Sequence, residues 1–396
     1  MRSLAAVSNL LLGVALCLAT SSFAKEKPAS EAEIEKLILR LGDEDEDIRN
    51  QAKKELVALG EAVLPALRVA AADKRADVDV RLRAAAVAAT IREKLFGQIH
   101  CFKGHNGWVG RVVVLPDGKQ AISSGDFLRV WNLETGKEVR HFAPDLHYLG
   151  LALSKDGKRV LASHRDNSVR LYEIETGKEL QKFVGHTAEV WAIGLSADGK
   201  FAVTGAFDLS IRVWDMATGK QLRTFAKVVD YPRCFAWSPD GKKVAIGHCR
   251  GGDFVTALST LRVWDFQTGK ELVSGSGHTG AITAVSWSKD GKRLATSSFD
   301  KTLRVWDAET GKELKKITAS TQGCDGVTFI PDGKRLVSAG WGTDFSVRVW
   351  QIDTGEELVR YDGHTGSALC VAVTPDGKKV IACDTTGVLR LWPLPK

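Results

Sequence analysis

The stretch GHTAEVWAIGLSADGKFAVTGAFDLSIRVWDMATGK, residues 185–220, decides the fold. It holds two apolar alternating runs, Val190 to Leu195 and Phe201 to Ala206, separated by Asp198-Gly199. A third run, Ile211 to Trp214, follows and leads to Thr218-Gly219. Alternation with period two marks half-buried strands, and Asp-Gly supplies the positive φ that a tight hairpin demands. The stretch is therefore read as a meander of short strands.

The same pattern recurs along the chain, and repetition decides architecture before any single motif does. A hydrophobic-Arg-hydrophobic-aromatic motif ends at Trp131, Tyr172, Trp214, Trp264, Trp306, Trp350 and Trp392, with spacings of 41, 42, 50, 42, 44 and 42 residues. Asp-Gly pairs run in step at Asp117, Asp156, Asp198, Asp240, Asp290, Asp332 and Asp376. Thr-Gly follows the motif at Gly136, Gly177, Gly219, Gly269, Gly311 and Gly355. Seven copies of a four-strand unit predict seven blades.

Gly-His at His105, His186, His278 and His364, followed by Trp-Asp at Trp214, Trp264 and Trp306, makes residues 98–396 resemble WD40 repeats. The resemblance implies an all-β seven-bladed β-propeller, and a small all-α domain is read before it. The last unit stops after its third strand, at Pro393. Residues 98–102 precede the first Gly-His as outer strands precede the later ones, so they are expected to complete the last blade and remove the open sheet edges.

Residues 30–96 show helical rather than alternating periodicity. Ser30 with Glu33 reads as a capping box, and Asp47-Ile48-Arg49 and Asp79-Val80-Arg81, each followed by an Ala three residues on, resemble HEAT-type helical repeats. Ahead of them, Met1 to Ala24 reads as an export signal: Arg2, an apolar run from Leu10 to Ala19, and the small-x-small site Ser22-Phe23-Ala24. Ser8 and Asn9 interrupt the apolar stretch, which leaves it too short for a membrane anchor, and residues 25–29 form a linker. An exported, periplasmic or secreted protein of bacterial type is expected, with no transmembrane segment after the signal and no oligomerisation.

The bulk numbers exclude several classes. With 44% hydrophobic and 26% charged residues the chain has an ordinary globular composition. Its net charge of +7 is spread over the repeat region, too diffuse to indicate a nucleic-acid partner. The lysines after Asp-Gly and Thr-Gly belong to hairpins at one end of the ring and are read as solvated turn chemistry. Six cysteines, Cys101, Cys234, Cys249, Cys324, Cys370 and Cys383, lie in apolar strand contexts without any CxxC. They are read as core residues, with Cys370–Cys383 and Cys234–Cys249 the nearest candidates for a disulfide.

His186, Thr204, Asp208 and Trp214, and likewise His278, Thr296, Asp300 and Trp306, have the residue types of a hydrolase triad. The WD40 resemblance implies instead a buried network in which Asp orients His, His meets the hydroxyl, and the hydroxyl meets the indole N–H. Only these two units are expected to carry it in full. No phosphate loop, HExxH site, GxSxG elbow or dense His/Cys cluster is present in the sequence, so no catalytic residue, metal or cofactor is assigned.

Binding is expected where the units differ. The residue seven before each Asp-Gly aspartate faces the channel mouth in the family, which here selects Gly110, Leu149, Trp191, Arg233, Thr283, Asp325 and Leu369. Trp191, Arg233 and Asp325 are the informative members. Phe207 and Phe299 precede the network aspartates, Tyr231 lies beside Arg233, and insertions occur within residues 249–260 and around Trp341. Aromatic anchors beside an Arg are the usual ingredients of a binding hot spot. The function read from them is a non-enzymatic scaffold that holds a protein or peptide partner on this rim. The alternatives are a propeller-based hydrolase or lactonase, with Asp325, His147 and His248 as its loose candidates, and an envelope polysaccharide-binding protein.

Overall fold

The computed structural model describes residues 29–196, 198–225, 230–249 and 258–396, with 147–149 and 225 described by backbone alone. The export-signal reading and most of the 249–260 insertion lie outside the described residues. Two compact units divide the chain near residue 91.

The first unit begins with α1 (Glu31–Arg40) and α2 (Glu46–Leu59). A short 3₁₀ turn leads to α3 (Leu64–Ala72), and α4 follows (Val78–Phe96). The Ser30 hydroxyl receives the Glu33 N–H while the Glu33 carboxylate receives the Ser30 N–H, the reciprocal box that satisfies orphan donors at a helix start. The two Asp-x-Arg motifs occupy the first turns of α2 and α4, and the Ala that ends each motif, Ala52 and Ala84, is fully buried. Arg49 donates to the carbonyls of Asp43 and Glu44 ahead of its helix.

The second unit is a ring of seven four-stranded antiparallel sheets. Six blades use consecutive strands: 111–142, 146–183, 190–225, 231–278, 282–318 and 324–361. The seventh has the order His100–Lys103, Val388–Pro393, Lys379–Asp384, Ala368–Val373, so the first strand of the ring closes the last blade. Phe102 pairs with Leu389 and His100 with Leu391, and the Ile99 N–H extends the ladder to the Leu391 carbonyl. Backbone groups that would be left on two raw edges are thereby paired.

Each inner hairpin turns at an Asp-Gly whose glycine has φ between +68° and +70°, a region where a Cβ is strained. The aspartate fastens the same turn: Asp156, Asp240 and Asp290 each accept the N–H of the lysine two residues on. Between blades, apolar side chains of neighbouring sheets interdigitate, as where Leu161, Leu171 and Phe183 of blade 2 meet Val190, Leu195 and Trp214 of blade 3. Trp131, Trp214, Trp306 and Trp392 are among the largest fully buried side chains. At about 25 cal/mol per Å², each contributes roughly 4–6 kcal/mol of burial.

Of the six cysteines among the described residues, four are buried and all six are unbridged. Cys370 and Cys383 are direct cross-strand partners in blade 7. No helix among the described residues is long and apolar enough to cross a membrane.

Candidate functional site

The His/hydroxyl/Asp/Trp constellations lie inside the blades. In blade 3, His186 Nδ1 lies 2.9 Å from Asp208 and Nε2 lies 2.7 Å from the Thr204 hydroxyl, which also receives Trp214 Nε1–H at 2.8 Å. Blade 5 repeats this through His278, Asp300, Thr296 and Trp306. Burial lowers the pKa of both histidines, so the His–Asp contact joins a neutral imidazole to a carboxylate. The tautomer follows: Nδ1–H donates to Asp, and Nε2 accepts from the hydroxyl. Each polar atom has a partner, and Thr204 and Thr296 are fully buried, where no substrate reaches a nucleophile.

The expectation of two complete networks is corrected by blade 1. His105 meets Asp126 at 2.6 Å and Ser123 at 2.7 Å, and Trp131 donates to the same Ser123 hydroxyl at 2.8 Å. Serine in place of threonine performs the same bridging, and burial lowers His105 to about 4. Other blades rebuild parts of the network. In blade 2, Tyr172 takes the Trp position and its hydroxyl meets His164 Nε2 at 2.9 Å. In blade 6, Ser320 donates to Asp344, and Trp350 to Ser338. Blade 7 has Thr386 at the aspartate position, but Asp384 reaches His364 at 2.7 Å. Ala382 there replaces the bridging hydroxyl, and His364 Nε2 is left buried without a hydrogen-bond partner.

The rim residues meet around Arg233. Its guanidinium lies 5.0 Å from the Trp191 ring centre and 4.8 Å from that of Phe299, within cation–π range of both. Trp191 packs on Phe207 at 4.5 Å, Phe207 on Tyr231 at 5.1 Å, and Phe299 on Trp341 at 5.4 Å. Asp325 approaches Arg233 at 3.6 Å. All seven rim residues selected from sequence thus form one connected cluster drawn from blades 3 to 6. Arg233, Asp325 and Phe299 are its buried floor, each under one-tenth exposed, while Trp191, Phe207, Tyr231 and Trp341 are half-buried above them.

Local backbone explains this convergence. The innermost strand pairs of blades 3 to 7 each carry an irregularity at one residue: Trp191, Arg233, Thr283, Asp325 and Leu369. A bulge inserts an unpaired residue and re-aims its side chain. Phe207, Phe299 and Trp341 are held alike, each donating its N–H to the carbonyl ahead of the inner strand (Glu189, Ala281 and Gly323).

Two of the counted positions behave differently. Thr283 is fully buried, with its hydroxyl on the Cys324 carbonyl and on Ser297. Gly110 offers no side chain, and the channel is lined in blade 1 by Arg111, which the sequence count passes over by one residue. His248 is fully buried within blade 4, opposite Pro232, and burial lowers its pKa to about 3. It does not line the channel and is no partner for Asp325. The side chains of His147 and Leu149 fall outside the described residues.

The inner strands enclose a channel of about 460 Å³, lined by Trp191, Arg233, Asp325, Leu369 and Arg111 together with small and apolar residues. Burial raises the pKa of Asp325 and lowers that of Arg233, while the opposite charge of each works against these shifts. A guanidinium cannot be deprotonated in a protein, so Arg233 keeps its charge.

The family model described as "WD domain, G-beta repeat" matches residues 96–132, 177–215, 269–307, 311–351 and 355–393. Over 92 residues the chain is 30% identical to the small ribosomal subunit protein RACK1 of Candida albicans, covering 21% of this chain and 29% of that protein. It is 28% identical over 117 residues to autophagy-related protein 16 of Arabidopsis thaliana (27% and 23%). It is 26% identical over 102 residues to the guanine nucleotide-binding protein subunit beta-1 of Drosophila melanogaster (24% and 30%). Each match spans less than a third of the relative's length.

Proposed function

The chain is a WD40-repeat β-propeller, and from that premise we propose that it is a non-enzymatic scaffold that binds a protein or peptide partner on the aromatic arc at the channel mouth. The observation that carries this reading is the single cluster formed by Trp191, Phe207, Tyr231, Arg233, Phe299, Asp325 and Trp341. A buried, ion-paired floor under half-buried aromatic rings supplies large rigid contact area at low entropic cost. Two of the similar proteins are named as parts of assemblies, a ribosomal subunit and a guanine nucleotide-binding protein, which supports a partner-holding role here. A hydrolase that used Asp325 as its base would need that carboxylate free, and it is engaged by Arg233. The reading of Met1 to Ala24 as an export signal supports a scaffold that works outside the cytoplasm.

Affinity capture with the wild-type chain and a Trp191→Ala, Trp341→Ala variant, quantified by mass spectrometry, tests the proposal. Partners bound through the arc are lost from the variant while its unfolding midpoint shows a folded propeller. Equal recovery of every partner by both proteins contradicts it.

A further inference from the structure

Arg111 is the channel residue that the binding cluster leaves unused. It follows Gly110, and its Nη1 donates to the Gly110 carbonyl at 3.0 Å. Among the described residues no carboxylate lies within ion-pair distance of it. Its charge is nevertheless felt across the channel, opposing the positive charge of Arg233 in blade 4 and favouring the negative charge of Asp325 in blade 6.

Among the described residues, the charged members of the channel lining are Arg111, Arg233 and Asp325. Two guanidinium groups face one carboxyl group there, which leaves an excess of positive charge. The wall around them is apolar or small, with Val112, Val371, Leu369 and Ala284 among its members, and such a wall strengthens an electrostatic contact relative to water. The volume lies within the range of ligand sites. A guanidinium presents paired donors that match the two oxygens of a carboxylate. A carboxylate offsets that positive excess.

We propose that the channel is a carboxylate-binding site: one carboxylate of the bound peptide sits against Arg111, with Arg233 behind it, while the peptide's apolar residues lie on the aromatic arc. This rests on the reading of the arc as a peptide-binding surface, and it adds the chemistry that the arc's partner must present. The carboxylate is supplied by a chain end or by an acidic side chain, and Asp325 acts as the counter-charge that tunes its affinity.

NMR titration of the full chain at low salt with three peptides tests the proposal: N-acetyl-Trp-Phe with a free C-terminus, the same peptide amidated, and N-acetyl-Phe-Glu amide. At least one carboxylate peptide binds about tenfold or more tighter than the neutral amide, and which one does so identifies the source. Arg111→Met abolishes the preference without changing the affinity of the amide, Arg111→Lys keeps part of it, and Asp325→Asn enlarges it. Equal binding of all three peptides overturns the carboxylate site and leaves the arc standing. A preference that survives in Arg111→Met, or is the same in the Met and Lys variants, also overturns it. No binding of any peptide at millimolar concentration contradicts both this inference and the arc reading.

Discussion

The guanidinium of Arg233 lies 3.6 Å from the carboxylate of Asp325, joining blade 4 to blade 6 across the channel. Both side chains are nearly inaccessible, so neither charge regains its hydration if the other is removed. Breaking one half of a buried pair leaves an uncompensated charge, whereas replacing both removes the desolvation cost as well. Asp325→Leu is expected to lower stability by about 3–5 kcal/mol. The double replacement Arg233→Met, Asp325→Leu is expected to cost much less than the sum of the single changes. Urea unfolding of the four proteins in the cycle checks this, and additive effects contradict it.

The blade networks give a second test, one that separates structure from chemistry. Thr296→Val removes the hydroxyl that serves both His278 Nε2 and Trp306 Nε1. Two buried polar atoms are then unpaired, at an expected cost of about 2–4 kcal/mol. Partner binding at the arc should be unchanged once folding is accounted for. Loss of binding with undiminished stability would show that these residues do more than hold the blade.

Blade 7 offers the reverse experiment. His364 Nε2 lacks a partner because Ala382 stands where blades 1, 3, 5 and 6 place a hydroxyl. Ala382→Ser adds one buried oxygen at that place, and an increase of about 1 kcal/mol in unfolding free energy is expected. A decrease would show that the oxygen does not reach the imidazole.

Most of the fold was legible because its signals repeat. The Asp-Gly turns, the aromatic residue of each third strand and the truncated last unit each follow from a local physical demand, and each is met in the structure. Trp191, Arg233 and Asp325 could be selected by counting because bulges fall at the same place in blades 3, 4 and 6. Counting failed where local chemistry changed. Ser123 replaced threonine without altering the network, Asp384 moved two residues toward the strand, and Gly110 passed its role to Arg111. None of these changes breaks the period, so the period does not reveal them; they are visible only as contacts between strands distant in sequence.

Acid stability follows from the buried histidines. His105 and His164 are lowered from 6.5 to about 4 and His248 to about 3 by burial, and His186 and His278 are lowered in the same direction. Between the unfolded value and these folded values the unfolded chain binds more protons than the native one, so stability rises with pH in that window. The urea midpoint should be nearly constant above about pH 7 and fall as the pH drops from about 6.5 toward 4. A midpoint unchanged between those limits contradicts neutral, buried imidazoles.

The measurement that bears most directly on the scaffold reading is the dissociation constant of a peptide selected on the wild-type chain from a displayed library. It is measured by calorimetry against the wild type, Trp191→Ala, Trp341→Ala and a control at the hairpin end, Leu222→Ala, which is half exposed in a separate pocket. Each aromatic replacement is expected to weaken binding by about 2 kcal/mol, roughly thirtyfold, as for the central residues of an interface. The control should leave it unchanged. Equal affinity for all four proteins, with every variant folded, would contradict binding at the aromatic arc.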